Sequence, residues 1–289
     1  MNSCEPRLGM RLIEGGTFSM GASRFYLEER PERRMQVHRF WMDETPVSNA
    51  EFARFVEATG YSTLAERAMP AGSAVFVKHA APVVSLDPGL WWRFRDGACW
   101  RHPLGPGSNL DGLEDHPVVH VACEDAEHYA AWAGKRLPSE AEWEFAARGG
   151  LEGADYAWGN ELAPGGAMLA NYWQGEFPCE NLLLDGWERT SAVRSFPPNG
   201  YGLFDMIGNV WEWTSDAWSL PAQIARPGER PGPACCAPHA REAAVAQRVI
   251  KGGSYLCARN YCQRYRPAAR HPQAVDSPTG HIGIRCAAD

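Results

Sequence analysis

Two cysteines five positions apart, Cys257 and Cys262, have the residue types and spacing best suited to chemistry in this chain. They lie in Lys251-Gly-Gly-Ser254-Tyr-Leu-Cys257-Ala-Arg259-Asn-Tyr261-Cys262-Gln-Arg264-Tyr-Arg266. Zinc would want two Cys-x2-Cys pairs or added histidines at fixed spacing, and the stretch offers neither. Two thiolates without a third or fourth ligand suit a soft monovalent ion that accepts linear coordination, which is Cu(I). The flanking Arg259, Arg264 and Arg266 would favour thiolate near neutral pH. Spacing alone leaves two alternatives open: buried thiols packed as small apolar groups, or a simple disulfide.

A second constellation is rich in oxygen: Gly202-Leu-Phe-Asp205-Met-Ile-Gly208-Asn-Val210-Trp211-Glu212-Trp213-Thr-Ser-Asp216. Asp205 and Glu212, with glycines permitting tight turns, could wrap a hard cation using backbone carbonyls. Asn171, Asp185 and their neighbours allow a similar arrangement. Neither run has EF-hand spacing, and an aromatic core strand bearing two solvated acids explains the first as well. His116, His120 and His128 fit no zinc-binding pattern and read as structural histidines. No phosphate-loop or dinucleotide fingerprint is present.

The elements that must position these groups are short. With 12 Trp, 29 Gly and 22 Pro in 289 residues, turns interrupt every periodic segment and aromatics fill the core. That composition points to an irregular α+β fold, not a helix bundle or a doubly wound sheet. Strands are expected on both sides of Gly15-Gly16, over residues 35–42, and at Pro117-Val-Val-His-Val121. Capping boxes at Ser48-x-x-Glu51 and Ser139-x-x-Glu142 open two helices, stopped by Gly60 and Gly149, and a further helix runs from about Asp125 to Ala133. Residues 61–115 read as long ordered loops with room for short strands, and 219–247 as a surface loop. Glycine and tryptophan are spread along the whole length, so residues 1–289 read as one domain.

Charge and cysteine usage narrow the function classes. The net charge is −7 and no Lys/Arg block occurs, which argues against a nucleic-acid partner. Nine cysteines, an odd number, argue against a secreted disulfide framework. The first ten residues carry no signal-peptide-like apolar stretch, and no run of about 18 apolar residues occurs, so a cytoplasmic protein without a membrane span is expected.

Taken together, the motifs resemble the formylglycine-generating enzyme family, also called sulfatase-modifying factors, of bacterial type. Gly15-Gly-Thr-Phe-Ser-Met-Gly21, Pro46-Val-Ser-Asn-Ala-Glu-Phe52, Arg136-Leu-Pro-Ser-Glu-Ala-Glu-Trp-Glu-Phe145, Ala170-Asn-Tyr-Trp-Gln-Gly-Glu-Phe-Pro178, Pro198-Asn-Gly-Tyr-Gly-Leu203 and Gly208-Asn-Val-Trp-Glu-Trp-Thr214 mark the broad superfamily. More specific are Gly252-Gly-Ser-Tyr-Leu-Cys257, Tyr261-Cys262-Gln-Arg-Tyr-Arg266, Ala268-Ala-Arg270 and Gly283-Ile-Arg-Cys286. The resemblance implies a C-type-lectin-like domain with little regular secondary structure. It implies an oxidase in which Cys257 and Cys262 hold Cu(I) and the client cysteine joins as a third thiolate. Dioxygen then takes a hydrogen from the β-carbon, and the thioaldehyde hydrolyses to formylglycine.

The same resemblance places Ser254, Tyr261 and Arg264 in the active site and makes Trp211 or Trp213 a wall of the oxygen pocket. The client would be an unfolded sulfatase segment of the form Cys-x-Pro-x-Arg. Two structural calcium ions are implied: one on Asn171, Tyr172, Asp185 and Trp187, the other on Asp205, Gly208, Val210 and Glu212. Two departures stand out. The cysteine that pairs with Cys286 in secreted animal members is Ala147 here, so that bridge cannot form, and an asparagine near their active site is His281. The alternative function is a non-catalytic lectin-like binding module. An iron-dependent sulfur-oxidising relative is set aside, because no helical bundle precedes residue 10.

Overall fold

A computed structural model describes residues 7–83, 87–220 and 245–289. Strands β1 (Met10–Ile13) and β2 (Gly16–Met20) flank the expected glycine turn. The alternating run over 35–42 divides into two strands, β3 (Arg33–Val37) and β4 (Phe40–Asp43), with different partners. β3 pairs with β2 and β4 with β1, both antiparallel. All four residues of β4 are buried, because it runs between β1 and the C-terminal edge.

Helix α1 (Asn49–Thr59) begins at Ser48 as its capping box requires. The Glu51 amide donates to Ser48 Oγ (3.3 Å) and the Ser48 amide to Glu51 Oε2 (2.8 Å). The helix buries Phe52, Phe55 and Val56, and Phe52 meets Trp100 edge-on at 5.1 Å. The stretch read as loops contains α2 (Leu64–Arg67) and an antiparallel hairpin of β5 (Gly72–Phe76) and β6 (Trp92–Asp96). The strand expected at residues 117–121 is not formed. Pro117 makes a lone bridge to Ser48, and His120 takes a positive φ of 61°, which breaks the pleat.

Helices α3 (Cys123–Trp132) and α4 (Glu140–Arg148) follow, the latter capped by Ser139 and stopped at Gly149. Beyond them come β7 (Trp211–Ala217), β8 (Gln247–Lys251), β9 (Arg270–Ala274), β10 (Ile282–Gly283) and β11 (Ala287–Ala288). Their sheets are ordered β10-β7-β8-β9 and β1-β4-β11. The result is the expected α+β fold with little regular structure. Among the described residues no helix is long and apolar enough to cross a membrane. Cys4, Cys235, Cys236 and most of the expected loop over 219–247 lie outside the described residues.

α4 packs on β8, and the contact carries charge as well as apolar surface. Lys251 at the end of β8 is fully buried and bonds Glu144 at 2.9 Å, while Arg148 bonds the same carboxylate at 2.7 Å. Arg270 on β9 makes a two-pronged bond to Glu140, at 2.7 and 2.9 Å. Buried charges persist only when paired in this way. These pairs anchor both ends of the segment, residues 252–269, that carries the two cysteines.

Candidate active site

The chain leaves β8 through Gly252 and Gly253, both at positive φ. A Cβ on Gly253 would stand 2.7 Å from the Arg264 carbonyl oxygen, so only glycine lets the two limbs of the loop close on each other. A tight turn follows: the Cys257 amide donates to the Ser254 carbonyl (2.9 Å) and the Leu256 amide to Ser254 Oγ (3.3 Å). A second turn, closed by the Cys262 amide on the Ala258 carbonyl (2.8 Å), returns the chain beneath the first.

The two sulfurs therefore stand 3.5 Å apart, with both residues buried. That separation exceeds the disulfide bond length of about 2.05 Å, and it lets both sulfurs reach one ion. The donor set, two thiols aimed at each other, fits a soft monovalent metal. Each sulfur has its own hydrogen-bond donor: the Ser254 amide at 3.4 Å from Cys257 Sγ, and Arg264 Nη1 at 3.7 Å from Cys262 Sγ. Of the three arginines expected to act on the pair, Arg259 is exposed and Arg266 bonds Glu29 instead. Arg264 makes the contact.

Tyr261 faces the other way. Its ring stacks on Phe177 (4.7 Å between centroids, planes 7° apart) and meets Trp91 edge-on at 5.2 Å. These three rings, with Glu176, Cys179 and Asn260, border a cavity of about 150 Å³. Tyr261 in its wall is the chain neighbour of Cys262, and polar groups, the Glu176 carboxylate and the Asn260 amide among them, share the lining with the rings.

On the sheet side, Trp211 and Trp213 are fully buried on β7. Trp213 Nε1 donates to the Val121 carbonyl (3.1 Å), which fixes it as core. Trp211 lies 5.8 Å from the His271 ring, and its amide donates to the His281 carbonyl (2.9 Å). Trp211 Nε1, His281 Nε2 and both ring nitrogens of His271 are buried with no hydrogen-bond partner among the described residues. Burial, aided by the Arg264 charge, pushes the His271 pKa down to about 3, so its imidazole is neutral. His281 Nδ1 bonds Thr279 Oγ1 at 2.6 Å. Sequence reasoning passed over His271 because a lone histidine on a strand carries no motif.

The three histidines that the sequence marks as structural stand apart from this face. His116 bonds Thr190 (3.0 Å), His120 bonds Ser73 (2.9 Å) and Pro103 (2.9 Å), and His128 bonds the Glu124 carbonyl (2.8 Å).

Of the two oxygen-rich sets, the first converges. The Asp185 carboxylate accepts from the Tyr172 amide (3.2 Å), the Trp187 amide (3.0 Å) and Gln174 Nε2 (2.7 Å). Gln174 Nε2 also donates to the Tyr172 carbonyl, so a carboxylate and a carbonyl oxygen meet at one point. Asn171 lies beside them, its side chain donating to the Arg189 carbonyl (2.7 Å). Oxygen donors so gathered fit a hard cation.

The second set is differently disposed. Gly208 adjoins the first set, since a Cβ there would lie 2.3 Å from the Asn171 carbonyl. Asp205 is pushed up to about 6 by burial and accepts from the Arg194 amide (2.9 Å). Val210 is buried beside them. Glu212 is fully buried, not solvated: its oxygens accept from Arg285 Nε (3.1 and 2.9 Å) and Trp143 Nε1 (2.6 Å). Its charge is already neutralised, which leaves Asp205 and backbone carbonyls to offer a cation. Among the described residues no cluster of three or more His, Cys, Asp or Glu side chains is disposed to hold a metal.

The family described as the sulfatase-modifying factor enzyme 1-like domain matches residues 2–289. A formylglycine-generating enzyme of Mycobacterium tuberculosis is 49% identical, with 96% of each chain covered. One from Mus musculus is 46% identical over 96% of this chain and 74% of its own. An inactive Cα-formylglycine-generating enzyme 2 of Mus musculus is 38% identical over 95% of this chain and 84% of its own. Among solved structures, PvdO from Pseudomonas aeruginosa superposes with a TM-score of 0.65 at 23% identity, covering 97% of this chain and 94% of its own, a likeness of fold alone. The chain belongs to the sulfatase-modifying factor family, that of the formylglycine-generating enzymes.

Proposed function

We propose that this protein is an oxidase that converts the cysteine of a Cys-x-Pro-x-Arg segment in an unfolded sulfatase to Cα-formylglycine, with dioxygen as acceptor. The observation that carries the reading is the pair of buried sulfurs 3.5 Å apart beside an aromatic cavity. Family membership alone would not separate an active enzyme from an inactive relative, since relatives of both descriptions match. We read the cysteine pair as the mark of an active enzyme, since it supplies the two thiols that the chemistry needs.

Cys257 and Cys262 would hold Cu(I), which supplies the one-electron chemistry with dioxygen that the side chains lack. The protein's own groups do the rest. The Ser254 amide and Arg264 hold electron density on the two sulfurs through hydrogen bonds. Tyr261, stacked on Phe177 and set edge-on against Trp91, gives an incoming peptide a rigid apolar wall and keeps water from the sulfurs. Glu176 at the rim of that cavity offers a carboxylate to the client's arginine. On the sheet side, Trp211, His271 and His281 form a buried face whose unpartnered ring nitrogens can hold a water for hydrolysis of the thioaldehyde. Calcium at the Asn171–Asp185 set would be structural, as would an ion at Asp205. We place the enzyme in the cytoplasm, acting on neither nucleic acid nor membrane.

The test is to incubate the purified protein with Cu(I), a reductant, oxygen and a Cys-x-Pro-x-Arg peptide. Mass spectrometry should show the peptide losing sulfur and gaining oxygen. Cys257→Ser and Cys262→Ser should each abolish the change while circular dichroism stays that of the parent. Full conversion by either variant would remove the two-thiolate mechanism.

A further inference from the structure

The two arginines that follow Cys262 are gripped by a segment far away in sequence. Residues 25–29 end in a 3-10 turn, Leu27–Glu29, that carries two adjacent buried acids. Glu28 Oε1 accepts from Arg264 Nε (3.2 Å) and Nη2 (2.5 Å), and Glu29 Oε2 accepts from Arg266 Nη1 (2.8 Å). Above the acids, the Tyr26 ring covers the Arg264 guanidinium at 3.9 Å and the Phe25 ring covers that of Arg266 at 3.7 Å. The Gln263 amide donates to the Tyr26 hydroxyl (2.9 Å). Backbone, rings and carboxylates thus close on one short stretch of the cysteine loop.

The two ion pairs are alike in burial but not in consequence. Arg266 uses its remaining donor on the Gln263 carbonyl (2.8 Å). Arg264 directs Nη1 at Cys262 Sγ. A guanidinium is a rigid planar fork, so fixing Nε and Nη2 on Glu28 fixes where Nη1 points. We propose that Glu28 is a positioning residue for the cysteine pair: through Arg264 it holds a charged donor on the Cys262 sulfur and so sets the grip of the pair on a soft monovalent ion. Glu29, one residue on, holds the loop without reaching a sulfur. The inference rests on the copper reading for what the pair binds, but not for the geometry.

The experiment is a double-mutant cycle with a control. Glu28→Gln, Arg264→Gln, their combination and Glu29→Gln are compared with the parent. Cu(I) affinity is measured by competition with a chromogenic chelator, and the capture of Cys262 relative to Cys257 by iodoacetamide is followed in metal-stripped protein. Glu28→Gln keeps one acceptor oxygen and is the variant that folds most readily; thermal unfolding confirms that it has. Loss of one charge-assisted contact should weaken Cu(I) binding about tenfold in each single variant. The combination should be no weaker than either alone, and Glu29→Gln should bind as the parent does.

If the parent binds Cu(I) and a folded Glu28→Gln binds equally well, or if Glu29→Gln weakens binding as much, Glu28 has no positioning role. If the parent does not bind Cu(I), the proposed function fails, and the alkylation ratio decides this inference alone. A several-fold fall in Cys262 capture on Glu28→Gln but not on Glu29→Gln supports it, and an unchanged ratio overturns it.

Discussion

Replacing Arg285 by methionine should be among the most damaging single changes in this protein away from its cysteines. The guanidinium is fully buried and satisfies three groups: both oxygens of Glu212, the Asp43 carbonyl (2.9 Å) and the Phe204 carbonyl (2.7 Å). Methionine fills similar space but leaves a buried carboxylate without its counter-charge. Breaking a buried pair from one side costs about 3–5 kcal/mol, a large part of the roughly 5–15 kcal/mol that holds a domain folded. Burial already pushes the Glu212 pKa up, and without Arg285 it must rise further. A raised carboxylate pKa means stability that is present at low pH and lost as pH rises through the folded value. The defect should accordingly be larger at pH 8 than at pH 5.

Adding Glu212→Gln should then recover much of the loss, because no charge is left stranded, and should flatten the pH dependence. Urea unfolding followed by tryptophan fluorescence, in chelator at both pH values, measures Arg285→Met, Glu212→Gln and their combination. An Arg285→Met protein within about 1 kcal/mol of the parent at pH 8, or a double variant worse than the sum of the singles, would refute this reasoning.

Other expectations follow from the same structure. Asp125 joins the amides of Ala122 (2.8 Å) and Leu64 (3.0 Å) to the Tyr61 hydroxyl (2.9 Å), and burial pushes its pKa up to about 6. Its contribution should be full below about pH 4 and lost as pH rises through about 6, and Asp125→Asn should flatten that part of the stability profile. Ser139→Ala removes the hydroxyl that accepts from the Glu142 amide (3.2 Å) and should cost about 1 kcal/mol in denaturant unfolding. Calcium in hundredfold excess over its dissociation constant should stabilise the parent by about 2.7 kcal/mol. Asp185→Asn should abolish that gain, and an equal gain in the variant would place the ion elsewhere.

Much of the local structure was legible in the sequence because it depends on neighbours along the chain. The Ser48 and Ser139 caps and the stops at Gly60 and Gly149 lie where their motifs put them, since capping is settled within four residues. The run over 35–42 misled because alternation reports burial on one face and not which partner a strand takes. Residues 117–121 misled because β-branched residues favour extended backbone whether or not a ladder forms. The hairpin of β5 and β6 was hidden by the long connection between its strands.

For the candidate site, the sequence by itself determined which atoms are available: two thiols in a glycine-entered loop, a set of arginines, and two oxygen-rich runs. It also determined the family, because those motifs span the chain. Only the tertiary structure decided that the sulfurs meet at 3.5 Å and that Arg264, not Arg259 or Arg266, faces one of them. It likewise decided that Glu212 is already paired and that residues 25–29 close over the loop. The physical reason is that hydrogen bonds and ion pairs act over a few ångströms of space: Glu212 and Arg285, or residues 25–29 and the cysteine loop, lie far apart along the chain and meet only by folding, while the near neighbours Cys257, Cys262 and Arg264 are aimed by a loop whose shape those distant contacts hold.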